Sequence, residues 1–176
     1  MKSLLLPSVI LLLFIVSAFT VIHEADWQMT EEYSIRFSGK KANGFFHKLK
    51  GEIRFDENKL SNSSVKLEVD VKSISLNNSL KTWHAKKAKW FNVKAYPVIR
   101  FVSSKFEKAP KGYLVSGKLS MKGTEKDITV PFSFVKNVFF GSFKVRRSDF
   151  KVGKVKGLSK AVADSIQIDF TIPVKK

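Results

Sequence analysis

Residues 65–72, Val65-Lys66-Leu67-Glu68-Val69-Asp70-Val71-Lys72, put an apolar side chain at every odd position and a charged one at every even position. Side chains of an extended strand project alternately to opposite faces, so this stretch reads as a half-buried strand with one dry and one wet face. The same period of two recurs along the chain. Tyr33, Ile35 and Phe37 alternate with polar neighbours, as do Leu49, Gly51, Ile53 and Phe55. Tyr113 to Met121, Ile128 to Phe134, Phe139 to Val145 and Ile166 to Val174 repeat the pattern, each apolar or Gly at every second residue. Residues 98–106 are rich in β-formers but less cleanly phased.

These stretches make about eight strands, joined by short turn signals and without the spacing that crossover helices need. The expected fold is all-β, an eight-stranded antiparallel barrel. Alternation also fits a two-sheet sandwich, but sequential hairpins favour the up-and-down barrel, whose interior is either filled or holds one ligand. The chain has 176 residues, enough for one domain, and 16 Phe supply ample core material. Lys and Arg number 32 against 15 Asp and Glu, a net charge of +17. That charge suits nucleic acid, an anionic membrane surface or an acidic polymer, and on strands of this phase it lies outside. Without Cys, disulfides, thiolate metal sites and cysteine nucleophiles are excluded.

Compartment decides between the partners. After Met1, Lys2 and Ser3, an apolar run from Leu4 to Val16 is broken only by Pro7 and Ser8, with small residues at Ser17 and Ala18. Residues 1–18 therefore read as a signal peptide cleaved after Ala18, with an uncleaved anchor running to Ile22 as the alternative. The expected protein is periplasmic or secreted, its folded domain covers residues 24–176, and nucleic acid is not its partner. An anionic membrane surface and a homodimer stay open as partners.

Residues 79–91 break the strand rhythm. At helical spacing Leu80, Trp83, His84, Trp90 and Phe91 gather on one side, which predicts a short amphipathic helix over one barrel end, as a plug or as a lid. Of the three His, His23 lies beside the cleavage site, and neither His47 nor His84 has a catalytic or metal-ligand spacing. An isomerase or hydrolase using His84 or Arg147 has no supporting motif, so no enzyme is expected. The run Phe139, Gly141, Phe143, Val145 continues by twos to Arg147, which predicts an inward guanidinium. It would pair with Asp149, stack on a Phe, or meet the polar head of a ligand. His47 shares the parity of Leu49 and Ile53 and is expected inside as well.

The residues Tyr33-Ser34-Ile35-Arg36-Phe37, Leu49-Lys50-Gly51-Glu52-Ile53-Arg54-Phe55-Asp56, His84-Ala85 with Trp90-Phe91, and Tyr96-Pro97-Val98-Ile99-Arg100-Phe101 follow one another at defined spacings. With Gly117 to Lys126, Pro131, Arg147-Ser148-Asp149-Phe150 and Gly153, they resemble the YceI-like family across nearly the whole mature chain. Asn92 and Lys151 depart from the Asp and Gly common there. The resemblance implies a lipocalin-like barrel with a helical segment over one end, exported to the periplasm and holding a polyisoprenoid or a prenyl-tailed quinone. No resident cofactor is implied beyond that bound isoprenoid lipid or quinone, and no metal. The expected ligand-binding set is Phe45, His47, Leu49, Phe101, Phe132, Phe134 and Phe143 in the interior, with Trp83, His84, Trp90, Phe91, Arg147 and Asp149 at the mouth. The alternative function is a basic module that binds anionic envelope lipids or polymers around a packed interior.

Overall fold

A computed structural model describes residues 26–153 and 160–176. The expected signal segment lies outside the described residues. In chain order the strands are β1 (Asp26–Met29), β2 (Ser34–Ser38), β3 (Gly44–Phe46), β4 (Leu49–Arg54), β5 (Ser64–Asp70) and β6 (Ile74–Leu76). Helix α1 (Ser79–Ala85) follows, then β7 (Val98–Ala109), β8 (Gly112–Met121), β9 (Thr124–Val135), β10 (Val138–Arg146) and β11 (Ser165–Lys175). All pairings are antiparallel. β1 and β2 both run along β11, and β3 and β4 together face β5 and β6. Each of these three pairs is thus one interrupted strand. With β7 to β11 they make an eight-stranded up-and-down barrel, closed where Gln28 pairs with Lys175 and Ile35 with Phe170.

The three interruptions line up as a crease across the wall. Tyr33 Oη donates to the His47 carbonyl (3.2 Å) and accepts from the Leu49 N–H (3.0 Å). Ser73 Oγ accepts from the N–H groups of His47 (3.1 Å) and Lys48 (3.0 Å) and donates to the Asp70 carbonyl (2.6 Å). Two hydroxyls therefore replace ladder bonds that the break removes, and no strand edge opens. The crease also shifts phase. Inward residues are Gly44 and Phe46 before it, Leu49 and Ile53 after it, so Phe45 and His47 turn outward. Both were expected inside. Both are exposed, Phe45 at 42%, with the His47 ring bonded to Ser75 Oγ on the outer wall. The uneven phase of residues 98–106 has a similar cause: a β-bulge between Ser103 and Lys105 lets both Phe101 and Phe106 face inward.

The inward phase of the other strands is as expected, and charges sit outside. Lys50, Glu68 and Arg100 stand opposite one another on adjacent strands. Arg100 (2.7 Å) and then Lys50 (3.3 Å) hold the Glu68 carboxyl below its ordinary pKa. Two inward glycines admit rings across the wall. A Cβ on Gly117 would meet the Phe101 ring at 2.8 Å, and one on Gly141 would meet the Phe170 ring at 2.6 Å.

One end of the barrel is filled. Phe55, 2% exposed, is surrounded by Phe106, Tyr113, Phe132, Phe134 and Phe139 at centroid distances of 5.1–6.0 Å, mostly edge to face. Trp27 Nε1 donates to the Phe55 carbonyl (3.0 Å), and Tyr113 Oη donates to Glu57 (2.7 Å). Burial, with the Glu57 carboxylate beside it, pushes the Tyr113 phenol up to about 12. Phe55→Ala is expected to destabilise the barrel by about 3–5 kcal/mol, the range for truncating a buried Phe. Urea denaturation of the variant against the parent measures it.

Candidate functional site

Above the Phe55 cluster, the side chains leave a cavity of about 180 Å³ in the middle of the barrel. Its wall consists only of Ile, Val, Leu, Phe and Met, and includes Leu49, Phe101, Phe132 and Phe143 of the expected set. A second cavity of about 360 Å³ lies at the α1 end. Phe46, Met121, Val145 and Ile168 belong to the walls of both, so they form the waist between an apolar lower chamber and an upper one. Leaving 180 Å³ outside the chain's own packing forgoes about 4 kcal/mol, at the roughly 24 cal/mol per Å³ typical of core cavities. An apolar guest would recover contacts of that order.

The upper chamber is roofed by α1 and the segment after it. Asn78 caps the helix by accepting the Lys81 N–H (3.0 Å), and Ala85 is its buried residue. The helix ends there, and Lys86 begins a turn. Trp90 and Phe91 come back over the barrel from that turn, Phe91 edge-on to Phe46 at 5.9 Å. Trp83 therefore does not share a face with Trp90. It is 53% exposed on the outer side of α1, as is Leu80 at 61%, and neither lines a chamber. His84, Trp90 and Phe91 do line the upper chamber, as expected. The exposed side chains Lys41, Lys81, His84 and Lys89 also contribute to its wall, so they mark where the chamber meets solvent.

Arg147 points inward, as its parity requires, and is 5% exposed. Its guanidinium donates to three carbonyls: Nη1 to Val152 (2.9 Å), Nη2 to Val162 (3.1 Å) and Nε to Ala163 (2.9 Å). It also faces the Trp90 ring at 5.4 Å. These bonds fasten the segments on either side of it over the barrel mouth. Asp149 is exposed and lines neither chamber, contrary to its expected place at the mouth. The structured acid is Asp164, which accepts from the Ser148 N–H (3.0 Å), Ser148 Oγ (2.8 Å) and Arg146 Nε (3.2 Å). Only the pairing of β10 with β11, Arg146 opposite Ser165, brings it there. Phe134 is the remaining correction, since it packs into the Phe55 cluster and Trp27 instead of a chamber wall.

Sequence reasoning missed Lys41 and Lys89 at the mouth, and Lys122. Lys122 Nζ donates to the Lys151 carbonyl (2.8 Å) and the Lys89 carbonyl (3.4 Å), joining two roof segments, and its pKa is lowered by burial. Lys151 takes a left-handed conformation at φ 55°, as Asn92 does at φ 52°. A left-handed backbone favours Gly and tolerates Asn, which explains one of the two departures noted above as a strained one. Among the described residues no three His, Asp or Glu side chains group as metal ligands. His47 lies on the outer wall and His84 at the mouth. The arrangement suits an apolar chain below the waist and a polar group among cations at the mouth.

A family model for the YceI-like domain matches residues 20–174. The chain belongs to the YceI-like family. BcnA of Burkholderia cenocepacia superposes with a TM-score of 0.75 at 30% identity, covering 82% of this chain and 97% of that one. The Campylobacter jejuni YCEI protein gives 0.64 at 23% identity, covering 76% and 84%. A polyisoprenoid binding domain from Saccharophagus degradans gives 0.62 at 14% identity, covering 87% and 99%, and at that identity shows a shared fold. A UPF0312 protein of Photorhabdus laumondii is 25% identical over 117 residues, and the match spans 61% of each chain. The run Arg147-Ser148-Asp149-Phe150 of the family resemblance is thus, in this YceI-like protein, a fastening of the roof, with Phe150 2% exposed beneath it.

Two outcomes follow. Arg147→Met keeps the length but leaves three carbonyls without their donor, and is expected to cost about 3 kcal/mol in urea denaturation, as breaking a buried charged network does. Burial alone would raise the Asp164 carboxyl, but the Ser148 hydrogen bonds and Arg146 outweigh it and hold the group below its ordinary 3.8. A depressed folded-state pKa gives stability that is present above 3.8 and lost as pH falls through the lowered value. Asp164→Asn should therefore cost about 1 kcal/mol at neutral pH, and the difference from the parent should shrink as the pH is taken below 3.8 and the carboxyl is protonated.

Proposed function

We propose that this protein is an exported carrier that sequesters a polyisoprenoid or a prenyl-tailed quinone inside its barrel, and that it performs no catalysis. The observation that carries the reading is the wholly apolar lower chamber, joined through the Phe46–Met121–Val145–Ile168 waist to a chamber that reaches solvent among cations. A branched hydrocarbon chain gains roughly 25 cal/mol per Å² of apolar surface buried, so the tail supplies the affinity and needs no polar partner below the waist. The head then rests near Lys41, Lys81, His84 and Lys89. Further support comes from the S. degradans neighbour, which is described as a polyisoprenoid binding domain. The apolar run Leu4 to Val16 supports export to the periplasm or the exterior. The chamber volume counts against a basic module with a packed interior.

Native mass spectrometry of the protein incubated with a prenyl quinone in detergent tests the proposal. The parent should retain one ligand. Ile128→Trp, which puts an indole into the lower chamber, should retain the fold and reduce occupancy by at least about tenfold, the size of effect expected when apolar contacts are blocked. Undiminished uptake by this variant, or no uptake by the parent, contradicts the reading.

A further inference from the structure

Two observations outside the chambers concern the outer side of α1. Leu80 and Trp83, one helical turn apart, are 61% and 53% exposed, while the same helix turns Lys81, His84 and Ala85 to the upper chamber. Lys87 Nζ lies 3.9 Å from the Trp83 ring centroid, so the indole carries a cation on one face. The second observation is the charge around them. From Val71 to Pro97 there is no Asp or Glu, whereas Lys72, Lys81, Lys86, Lys87, Lys89 and Lys94 occur. The hairpin from Ser38 to Gly44 adds Lys40 and Lys41, again without an acid. At the opposite end Asp26, Asp56, Glu57 and Glu107 lie around the Phe55 cluster, three of them paired or bonded there as Asp26–Arg54, Glu57–Tyr113 and Glu107–Lys105. Near the mouth, Asp70 caps Lys72, Asp164 holds Arg146 and Ser148, and Glu125 accepts from Ser120 Oγ, while Asp149 is exposed.

We infer that this end of the barrel docks onto an anionic lipid bilayer, with Leu80 and Trp83 entering the interfacial region and the surrounding lysines meeting lipid phosphates. Trp and Leu beside Lys on one side of a helix is the composition that binds a membrane interface, where the indole sits at headgroup depth and the ammonium groups stay in the phosphate layer. The lysines set the orientation: the α1 end, with its exposed Leu80 and Trp83, faces the membrane and the closed end faces away. The docked orientation places Lys41, Lys81 and Lys89, at the edge of the upper chamber, next to the bilayer. The inference takes from the carrier reading only the reason for this proximity, and it stands on the exposed pair and the charge distribution.

Trp fluorescence with vesicles tests it, because the chain's other two Trp are placed elsewhere, Trp27 at the closed end and Trp90 in the chamber wall. The full-length protein is mixed with phosphatidylglycerol vesicles that carry brominated acyl chains. The parent should show quenching that is lost in Trp83→Phe, weakens at high salt and is absent with phosphatidylcholine vesicles. Leu80→Ser with Trp83→Ser should reduce vesicle partitioning by roughly tenfold while the thermal melting curve stays in place, both sites being exposed. Quenching that persists in Trp83→Phe, or salt-sensitive binding without quenching as for an acidic polymer, overturns the inference. The carrier reading is scored separately by prenyl quinone uptake from detergent, so loading without docking refutes this inference alone, and docking without loading refutes only the carrier.

Discussion

Everything in this molecule depends on an inward-facing apolar surface that is larger than the chain's own side chains can fill. Closing eight strands fixes the circumference, and the period-two pattern directs every second side chain into the same space. At one end five aromatic rings around Phe55 fill it. Toward the other end the inward residues are Val, Ile, Leu and Met with scattered Phe, which stop short of the axis and leave the two chambers. A packed core of the same strands would be more stable by an amount comparable to the roughly 4 kcal/mol forgone at the lower chamber. The fold instead devotes hydrogen bonds and charge to keeping a roof over the space.

Two devices do so without opening the backbone ladder. The crease allows three strands to change direction near the mouth, and the hydroxyls of Tyr33 and Ser73 take over the backbone groups it releases. The guanidinium of Arg147 gathers the carbonyls of Val152, Val162 and Ala163 at the mouth. Its planar fork suits divergent acceptors in a way a lysine ammonium does not. The roof is thereby made of loops and one short helix resting on a rigid wall, the part of such a structure that can yield to admit a ligand.

The barrel was legible in the sequence because alternation is a local signal: Val65 to Val71 or Phe139 to Val145 disclose their faces without reference to any partner. The same rule placed Arg147 inside. It failed at Phe45 and His47, where a one-residue slip at the crease inverts the faces, and the cause lies in Tyr33 and Ser73, distant in sequence. Helical spacing over residues 79–91 overstated α1, because the chain turns after Ala85 and Trp83 and Trp90 part company. Nearness along the chain points to Asp149, whereas strand pairing decides nearness in space and brings Asp164 to Arg146 and Ser148. Membership of the YceI-like family was readable from ordered motifs, each loose by itself; the waist and the ring of lysines at the mouth were not, since they are assembled from six or more separate elements.

The central claim is that the interior is built for a guest chain, and a crystal structure of protein purified from its own cells without added lipid tests it most directly. The account predicts one continuous elongated density running from beside Phe170 in the lower chamber, through the waist, to the lysines at the mouth. Side chains of Phe101, Phe143 and Ile168 collapsed onto one another across the axis, with no space left between them, would contradict it.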